Sequence, residues 1–421
     1  MPAKIFVFMI KRKLEDLITD LLKYFKIVFI AGARQVGKST LARYLASELG
    51  YTYISLDDPE MRKTIKAAPD LFLATTKSKL VIDEIQKIPE LIDYIKINVD
   101  TNEQKGQFIL TGSTNIFHNP KIYESLAGRM VITKLYPFSA AELKEWDFNL
   151  VEILFRKDFY NFIKDLPVSD YEKAVSIILK GRFPPVFNLD KFSNKWFSSY
   201  IEARINKDLN DLTEKKLHKL SNVKKLLKLL ADRSAGLLNV NHISQELKTS
   251  YQTAKNYLTY LEALYLIEPL PPFYTNVGKQ VIKQPKVYLL DTGLITYLLD
   301  LSESKFDFIS SDFGKLLETH VYLELKKEIS YSQQEFQIFY FRDDKKNEVD
   351  FIIQNQKGEL IAIEVKAKTV INSNDLKGLR VFYNRYADRI SKLYIFYGGD
   401  KIGAEKLNDT VVYKLPWRVL A

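Results

Sequence analysis

The chain has 421 residues, 46% of them hydrophobic and 27% charged, which is enough for two to three domains with a core each. It has no Cys, excluding disulfides and thiolate metal sites, and His118, His218, His242 and His320 are too scattered for a zinc cluster. The 62 Lys and Arg outnumber the 52 Asp and Glu, and the resulting +10 favours an anionic partner, nucleic acid first, although a Lys-rich solvated surface gives the same balance.

The opening "MPAKIFVFMIKRK" sets a short apolar run before its charges, the reverse of a secretory signal. No apolar run approaches the ~18 residues of a membrane span. The expected location is cytoplasmic, with no membrane partner. "LEDLITDLLKYF" (14–25) has apolar residues at helical spacing, and "IVFIAG" (27–32) is a β-branched run that predicts a strand. "KSTLARYLASELG" (38–50) predicts a helix ending on Gly50. "YTYISL" (51–56), "KLVIDE" (79–84), "QFILTGS" (107–113) and "MVITKL" (130–135) predict further buried strands. Strands separated by helices imply a parallel sheet covered on both faces.

From about 151 to 285 the pattern is mostly helical, broken at "GRFPP" (181–185) and "PLPPF" (269–273). Strand signals return at "KVYLLD" (286–291), "QIFYF" (337–341), "VDFIIQ" (349–354), "ELIAIEVKA" (359–367) and "KLYIFYGG" (392–399), with a long helix over 312–329 among them. The expected division is an α/β domain over 11–150, a helical middle over 151–285 and a second α/β domain over 286–421.

"GARQVGKS" (32–39) fits G-x-x-x-x-G-K-[ST] in full, after a strand and before a helix, the context that gives this motif its force. Glycines let consecutive N–H groups turn around phosphates at a helix N-terminus whose dipole favours anions. Gly32, Ala33, Arg34, Gln35, Val36, Gly37, Lys38, Ser39 and the following Thr40 are therefore the expected ATP-binding residues. Lys38 would reach the β- and γ-phosphates and Ser39 would hold Mg²⁺. In "KLVIDEIQ" (79–86) a strand ends in Asp83, placed to hold Mg²⁺ through water, and Glu84, placed to polarise the attacking water. In a sheet whose 108–112 strand lies between those two, Thr111 and Ser113 would face the γ-phosphate. Arg129 in "LAGRM" would complement transition-state charge, from the same or a neighbouring subunit; a structural arginine fits equally.

The run "SLDDP…LVIDEIQKIPELIDYIKINVD…GQFILTGS…LAGRMV…LYPFSAAE" resembles archaeal and bacterial AAA-type ATPases whose C-terminal half is a domain of unknown function related to nucleases. The resemblance runs from about Leu14 past Lys366. It implies a parallel-sheet P-loop fold and a nucleotide site of Lys38, Ser39, Asp83, Glu84, Ser113 and Arg129. Such ATPases commonly work as rings, so a homo-oligomer is expected. That family usually has paired glycines where this chain has Gly181-Arg182.

"VNHISQELKTSYQTAKNYLTYLEALYLIEPL" (240–270) reads as two short helices with a turn near Lys248–Ser250. Ala254, Tyr257, Leu258 and Leu261 would form the packed stripe of the second, opposite Gln252, Thr253, Lys255, Asn256 and Thr259. This is the outline of a winged helix-turn-helix that presents polar groups to DNA, or of a lid beside an ATPase domain. The Lys-rich "KKLHKLSNVKKLLKLL" (215–230) would track phosphates or simply face solvent.

Between "VDFIIQ" and "ELIAIEVKA" the expected turn is Gln356-Lys357-Gly358, with Gly in the left-handed position. That register sets Asp350 opposite Glu364, with Lys366 on the same face. Two close carboxylates repel unless a cation joins them, and an oxygen pair suits Mg²⁺ or Mn²⁺. Lys366 would then orient or deprotonate a water for attack on phosphorus. A surface hairpin of plain ion pairs is the alternative. The constellation resembles the PD-(D/E)XK nuclease core, in which a preceding helix adds an acidic ligand. Glu318 in "FGKLLETHVYLEL" matches that position, so the implied metal set is Glu318, Asp350 and Glu364.

The expected protein is an ATPase that couples Mg-ATP hydrolysis to a DNA-interacting, nuclease-like domain. A regulatory switch whose C-terminal domain binds a partner without cutting is the alternative, and an ATP-binding protein without appreciable turnover is a third.

Overall fold

The structure is a computed structural model that describes residues 10–76, 79–114, 126–189, 191–209, 220–274, 284–301, 311–407 and 409–421. His118, His218 and the 215–219 part of the Lys-rich segment lie outside these residues, as does most of the opening segment. The chain forms two compact units, one up to Asp147 together with Ala263–Tyr265, the other over Phe148–Glu262 and Leu266–Ala421.

The first unit is built on five parallel strands, β1 (Ile27–Ala31), β2 (Thr52–Ser55), β3 (Leu80–Asp83), β4 (Phe108–Gly112) and β5 (Met130–Lys134), in the order β2-β3-β4-β1-β5. Every residue of β1, β3 and β4 is buried, as central strands covered on both faces must be. β4 lies between β1 and β3, pairing Ile30 with Thr111 and Ile82 with Leu110, so the C-terminal ends of all three strands meet along one edge. Helix α1 (Leu14–Leu21) precedes β1, and α2 (Lys38–Leu49) follows it, closing on Gly50 in the left-handed region.

The second unit holds two sheets. The smaller joins β6 (Gly236–Leu237), β7 (Ile267–Leu270) and β8 (Lys286–Leu289) antiparallel in the order β6-β8-β7. Three helices belong with it: Leu220–Asp232, Val240–Glu246 and Tyr251–Ala263. The last buries Ala254, Tyr257, Leu258 and Leu261 and leaves Gln252, Lys255, Asn256 and Thr259 exposed, as expected, while Thr253, expected on the same polar face, is half-buried. The expected boundary at 285 falls inside this sheet, because β8 completes the pairing of β6 and β7.

The larger sheet contains β9 (Phe336–Arg342), β10 (Glu348–Asn355), β11 (Leu360–Val365), β12 (Ile390–Tyr397), β13 (Gly403–Leu407) and β14 (Thr410–Pro416), in the order β13-β14-β12-β11-β10-β9. β9, β10 and β11 are antiparallel, whereas β12 joins β11 in parallel after the helix Lys377–Tyr386. Leu379 and Phe382 of that helix pack on Val349, Ile352, Ala362 and Leu393 to make the core on one face. The long helix Ser311–Tyr331 comes before β9.

Gly181 shows why "GRFPP" interrupts the helical middle. Its φ is +76°, and a Cβ there would stand 2.1 Å from Asp291 Oδ1 and 2.7 Å from the Gly293 nitrogen, so no side chain fits. The Arg182 N–H donates to Asp291 Oδ2 at 2.7 Å, while its buried guanidinium donates to the Leu420 carbonyl at 2.5 Å and faces Glu324. Arg182 thereby ties distant segments of the second unit together.

Candidate functional site

β1 ends in a loop that only particular residues can make. Gly32 has φ +145°, and a Cβ would meet the Leu135 carbonyl oxygen at 2.4 Å. Gln35 takes φ +63° and Gly37 +101°, and Gly37 starts α2 with no side chain capping the helix. The first amides of a helix have no intrahelical partners, and an anion satisfies them. Lys38 is 3% exposed and donates to the Ala33 carbonyl at 2.8 Å, which folds it over the loop.

Asp83, the last residue of β3, is buried. It accepts from the Tyr53 hydroxyl at 2.7 Å and from the Thr111 hydroxyl at the end of β4. Both its oxygens are thus oriented. Glu84 sits at φ 60°, ψ 48°, a left-handed conformation that costs a non-glycine residue roughly 1–2 kcal/mol. Its N–H donates to Thr111 Oγ1 at 3.1 Å, and its carboxylate accepts from Ser113 at 2.8 Å and from the Gln86 amide. Strand ends and a strained turn therefore bring Asp83, Glu84, Thr111 and Ser113 together on the phosphate-loop edge of the sheet. Ser39 is half-buried and Thr40 exposed in the first turn of α2.

Arg129 lies elsewhere. It precedes β5, its carbonyl accepts from the Ile27 N–H at the start of β1, and its guanidinium pairs with Asp100. In a parallel sheet this is the edge opposite Gly32, so Arg129 does not reach the phosphate loop of its own chain.

In the second unit β10 and β11 pair Phe351 with Ile363 and Ile352 with Ala362, which sets Asp350 against Glu364. The connecting turn closes with Asn355 N–H on Glu359 O at 3.1 Å and Gly358 at φ +79°. A register shift against β9 between Val349 and Ile352 re-aims the strand at Asp350, a common use of an irregularity beside a polar cluster. Asp350 accepts the Val365 N–H at 2.8 Å, and Lys366 donates to Glu364.

Glu318, on the long helix, joins these groups, but so does a side chain absent from the expected set. Lys286, the first residue of β8, is 2% exposed, and its Nζ stands 2.8 Å from Glu318, 2.6 Å from Glu348 and 3.8 Å from Asp350. Tyr288 donates to Glu318 at 2.7 Å and stacks on Tyr322 with centroids 4.0 Å apart, walling the cluster with aromatic surface. Burial, and secondarily the Asp350 charge, push the Glu318 carboxyl up to about 7 against the opposing pull of Lys286. Burial likewise raises Glu364 well above the ordinary carboxylate range, with Asp350 adding to it. Lys286 is held protonated above its ordinary value by Glu318, Asp350 and Glu348, which together outweigh its burial.

This arrangement corrects the expected metal set. Among the described residues no three His, Asp or Glu side chains are disposed to hold a metal ion. Glu318, Asp350 and Glu364 do converge, but the ammonium of Lys286 already contacts the first two, so the residues present do not fit a divalent ion there. Lys366 pairs with Glu364.

Residues 24–144 match the AAA domain family, residues 171–305 a domain of unknown function (DUF8612) and residues 313–417 another (DUF4143). The first unit carries an AAA-type P-loop ATPase domain. An uncharacterized protein of Mycobacterium tuberculosis is 24% identical over 389 residues, spanning 92% of this chain and 79% of that protein. One of Methanocaldococcus jannaschii is 26% identical over 427 residues, spanning 93% and 84%. Among solved structures, the Walker-type ATPase of Pyrococcus abyssi aligns with a TM-score of 0.39 at 16% identity, covering 69% of this chain and 96% of that one. Among the described residues no helix is long and apolar enough to cross a membrane.

In the first unit, sequence reasoning missed Arg12. Its guanidinium donates to the Val36 carbonyl in the phosphate loop at 2.7 Å, to the Tyr136 carbonyl at 2.7 Å and to Glu142 at 2.8 Å, and it lies over the Phe138 ring. Glu142 also closes a capping box with Ser139. The motif "LYPFSAAE" thus braces the phosphate loop through Arg12. Nothing local marks this arginine, because its partners are 24 to 130 residues away. Lys286 had one visible signal, a charge heading an otherwise apolar strand.

Proposed function

We propose that this chain hydrolyses ATP at the AAA domain and uses the nucleotide cycle to change how its second unit engages DNA. The observation that carries this reading is the phosphate loop paired with Asp83 and Glu84 at the end of β3. Residues 32–40 grip the triphosphate, and Lys38 leaves the Ala33 carbonyl for the β- and γ-phosphates. The oxygens of Ser39 and Asp83 suit Mg²⁺, which when bound neutralises charge developing on the phosphates. Glu84, released from Ser113 and Gln86, orients the attacking water and accepts its proton. Arg129 complements the transition state only from a neighbouring copy, so the reading includes a homo-oligomer.

For the second unit, the helices and sheet of residues 220–289 support a winged-helix reading, with Gln252, Lys255, Asn256 and Thr259 turned to solvent for DNA. The order of long helix, antiparallel β9–β11, helix and parallel β12 supports a nuclease-like core. A second reading, a nucleotide-dependent switch that binds its partner without cutting, is favoured by the seating of Lys286 among the carboxylates.

Phosphate release from Mg-ATP tests the first part. Glu84→Gln should slow it by about 10²–10⁴-fold while nucleotide uptake persists in calorimetry. Wild-type turnover in that variant defeats the reading. Labelled linear, branched and single-stranded DNA, with and without Mg²⁺ and ATP, separates binding from cutting.

A further inference from the structure

We infer that Lys286 is the resident cation of the carboxylate cluster in the second unit, and that a divalent ion enters only when this ammonium leaves. Glu318, Glu348, Asp350 and Glu364 come from three elements, the long helix, β10 and β11, whereas the cation comes from β8 of the other sheet. Its Nζ is within 2.8 Å of two of the carboxylates and 3.8 Å of a third. A divalent ion bound through the oxygens that Lys286 contacts, Glu318 Oε1, Glu348 Oε1 and Asp350 Oδ1, would need them at about 2.1–2.5 Å. It would then lie only ~3–4 Å from the ammonium, with no water between to screen the repulsion. The two cations are therefore mutually exclusive occupants of those oxygens.

A second observation points the same way. Glu364 is 6% exposed, and its Oε2 has no hydrogen-bond partner, so one buried acceptor beside Asp350 is still unanswered. Lys366 answers only the other oxygen. The cluster has the acceptors of a cation site and a lysine seated in it. Because β8 is held by pairing with β6 and β7, metal entry is coupled to the seating of that small sheet. The inference goes beyond the non-cutting reading of the second unit by naming the group responsible, and it does not depend on ATP turnover.

The test is a Mn²⁺ titration of the full chain without nucleotide, followed by the paramagnetic resonance of free Mn²⁺. Wild type and Asp350→Asn should give the same curve. Lys286→Met should take up one additional Mn²⁺ per chain at least 10-fold more tightly than wild type, the gain should vanish in Lys286→Met/Asp350→Asn, and Mn²⁺ should raise the melting temperature of the single variant. A wild-type Mn²⁺ site that Asp350→Asn removes overturns the inference, as does a folded Lys286→Met with no added uptake. Should Lys286→Met fail to fold, the wild-type and Asp350→Asn comparison decides alone, since it needs neither that variant nor hydrolysis. If uptake follows the inference but Glu84→Gln hydrolyses normally, only the ATPase reading falls.

Discussion

The two polar sites of this chain differ in how far apart in sequence their parts lie. The phosphate loop is contiguous over 32–40, and its partners Asp83, Thr111 and Ser113 stand at the ends of neighbouring strands, where a parallel sheet must place them. The carboxylate cluster begins with an equally local hairpin but is completed by Glu318 and Lys286 from other elements. A site assembled from strand ends is chemically decided by its motifs. A site open to one more element can have its chemistry reversed by a single side chain, here from an expected metal centre to a buried ion-pair network.

The sharpest break of this comparison is Lys286→Met. Removing one member of a buried ion-pair network should destabilise the second unit by about 3–5 kcal/mol in urea unfolding, because the carboxylates are left uncompensated. The deficit should be smaller at pH 6 than at pH 8. Glu318, already raised to about 7, loses with Lys286 the charge that pulls it down, so the variant keeps this carboxyl protonated at pH 6 and bears its uncompensated charge only as pH rises. A deficit independent of pH would mean that Glu318 does not face the lysine.

Next comes Gly32→Ala, which tests how far the phosphate loop is fixed by backbone alone. With a Cβ 2.4 Å from the Leu135 carbonyl, it should cost the first unit about 1–3 kcal/mol and lose nucleotide uptake in calorimetry. Full binding would show that the loop has slack.

His320 asks whether burial also governs the interior of the second unit. Burial, then the nearby Arg182 charge, pushes its pKa down to about 3, so the folded chain refuses a proton that the unfolded chain accepts below the ordinary value of 6.5. Stability should therefore fall as pH drops from 6.5 towards 3, by up to about 1.4 kcal/mol per pH unit. Taking the difference from His320→Gln, which should lack this slope, cancels the opposite slope from Glu318. Parallel curves would refute the assignment.

The smallest effect on stability and ATP binding is expected from Arg129→Ala. Its pairing with Asp100 is exposed and lies on the edge away from the phosphate loop, so melting temperature and ATP affinity should be unchanged. If turnover falls steeply and mixing with Lys38→Ala subunits restores it, the arginine acts across a subunit boundary.

Much of the architecture was legible because it is periodic or stereochemical. The buried runs at 27–31, 80–83 and 108–112, the glycines of the phosphate loop and the three-residue turn at 356–358 each depend on neighbours in sequence. The Asp350–Glu364 pairing followed from turn length, since an antiparallel register is set once its loop is known. The reach of Arg129 was not legible, because a strand's motif does not say which end of the sheet a flanking residue occupies until the pairing is known. Strands β13 and β14 went unforeseen, with "GAEKL" half-exposed and without a buried run.

By itself the sequence determined the P-loop, the acidic end of β3, the polar face of the helix Tyr251–Ala263 and the carboxylate hairpin, because each is a short-range consequence of backbone geometry and apolar periodicity. The tertiary structure alone decided that Arg12 braces the phosphate loop, that Arg129 faces away from it, and that Lys286 pairs with Glu318, Glu348 and Asp350. Those outcomes rest on charges meeting across long chain separations. Desolvation in the folded interior, not local spacing, determines which partner each buried charge must find.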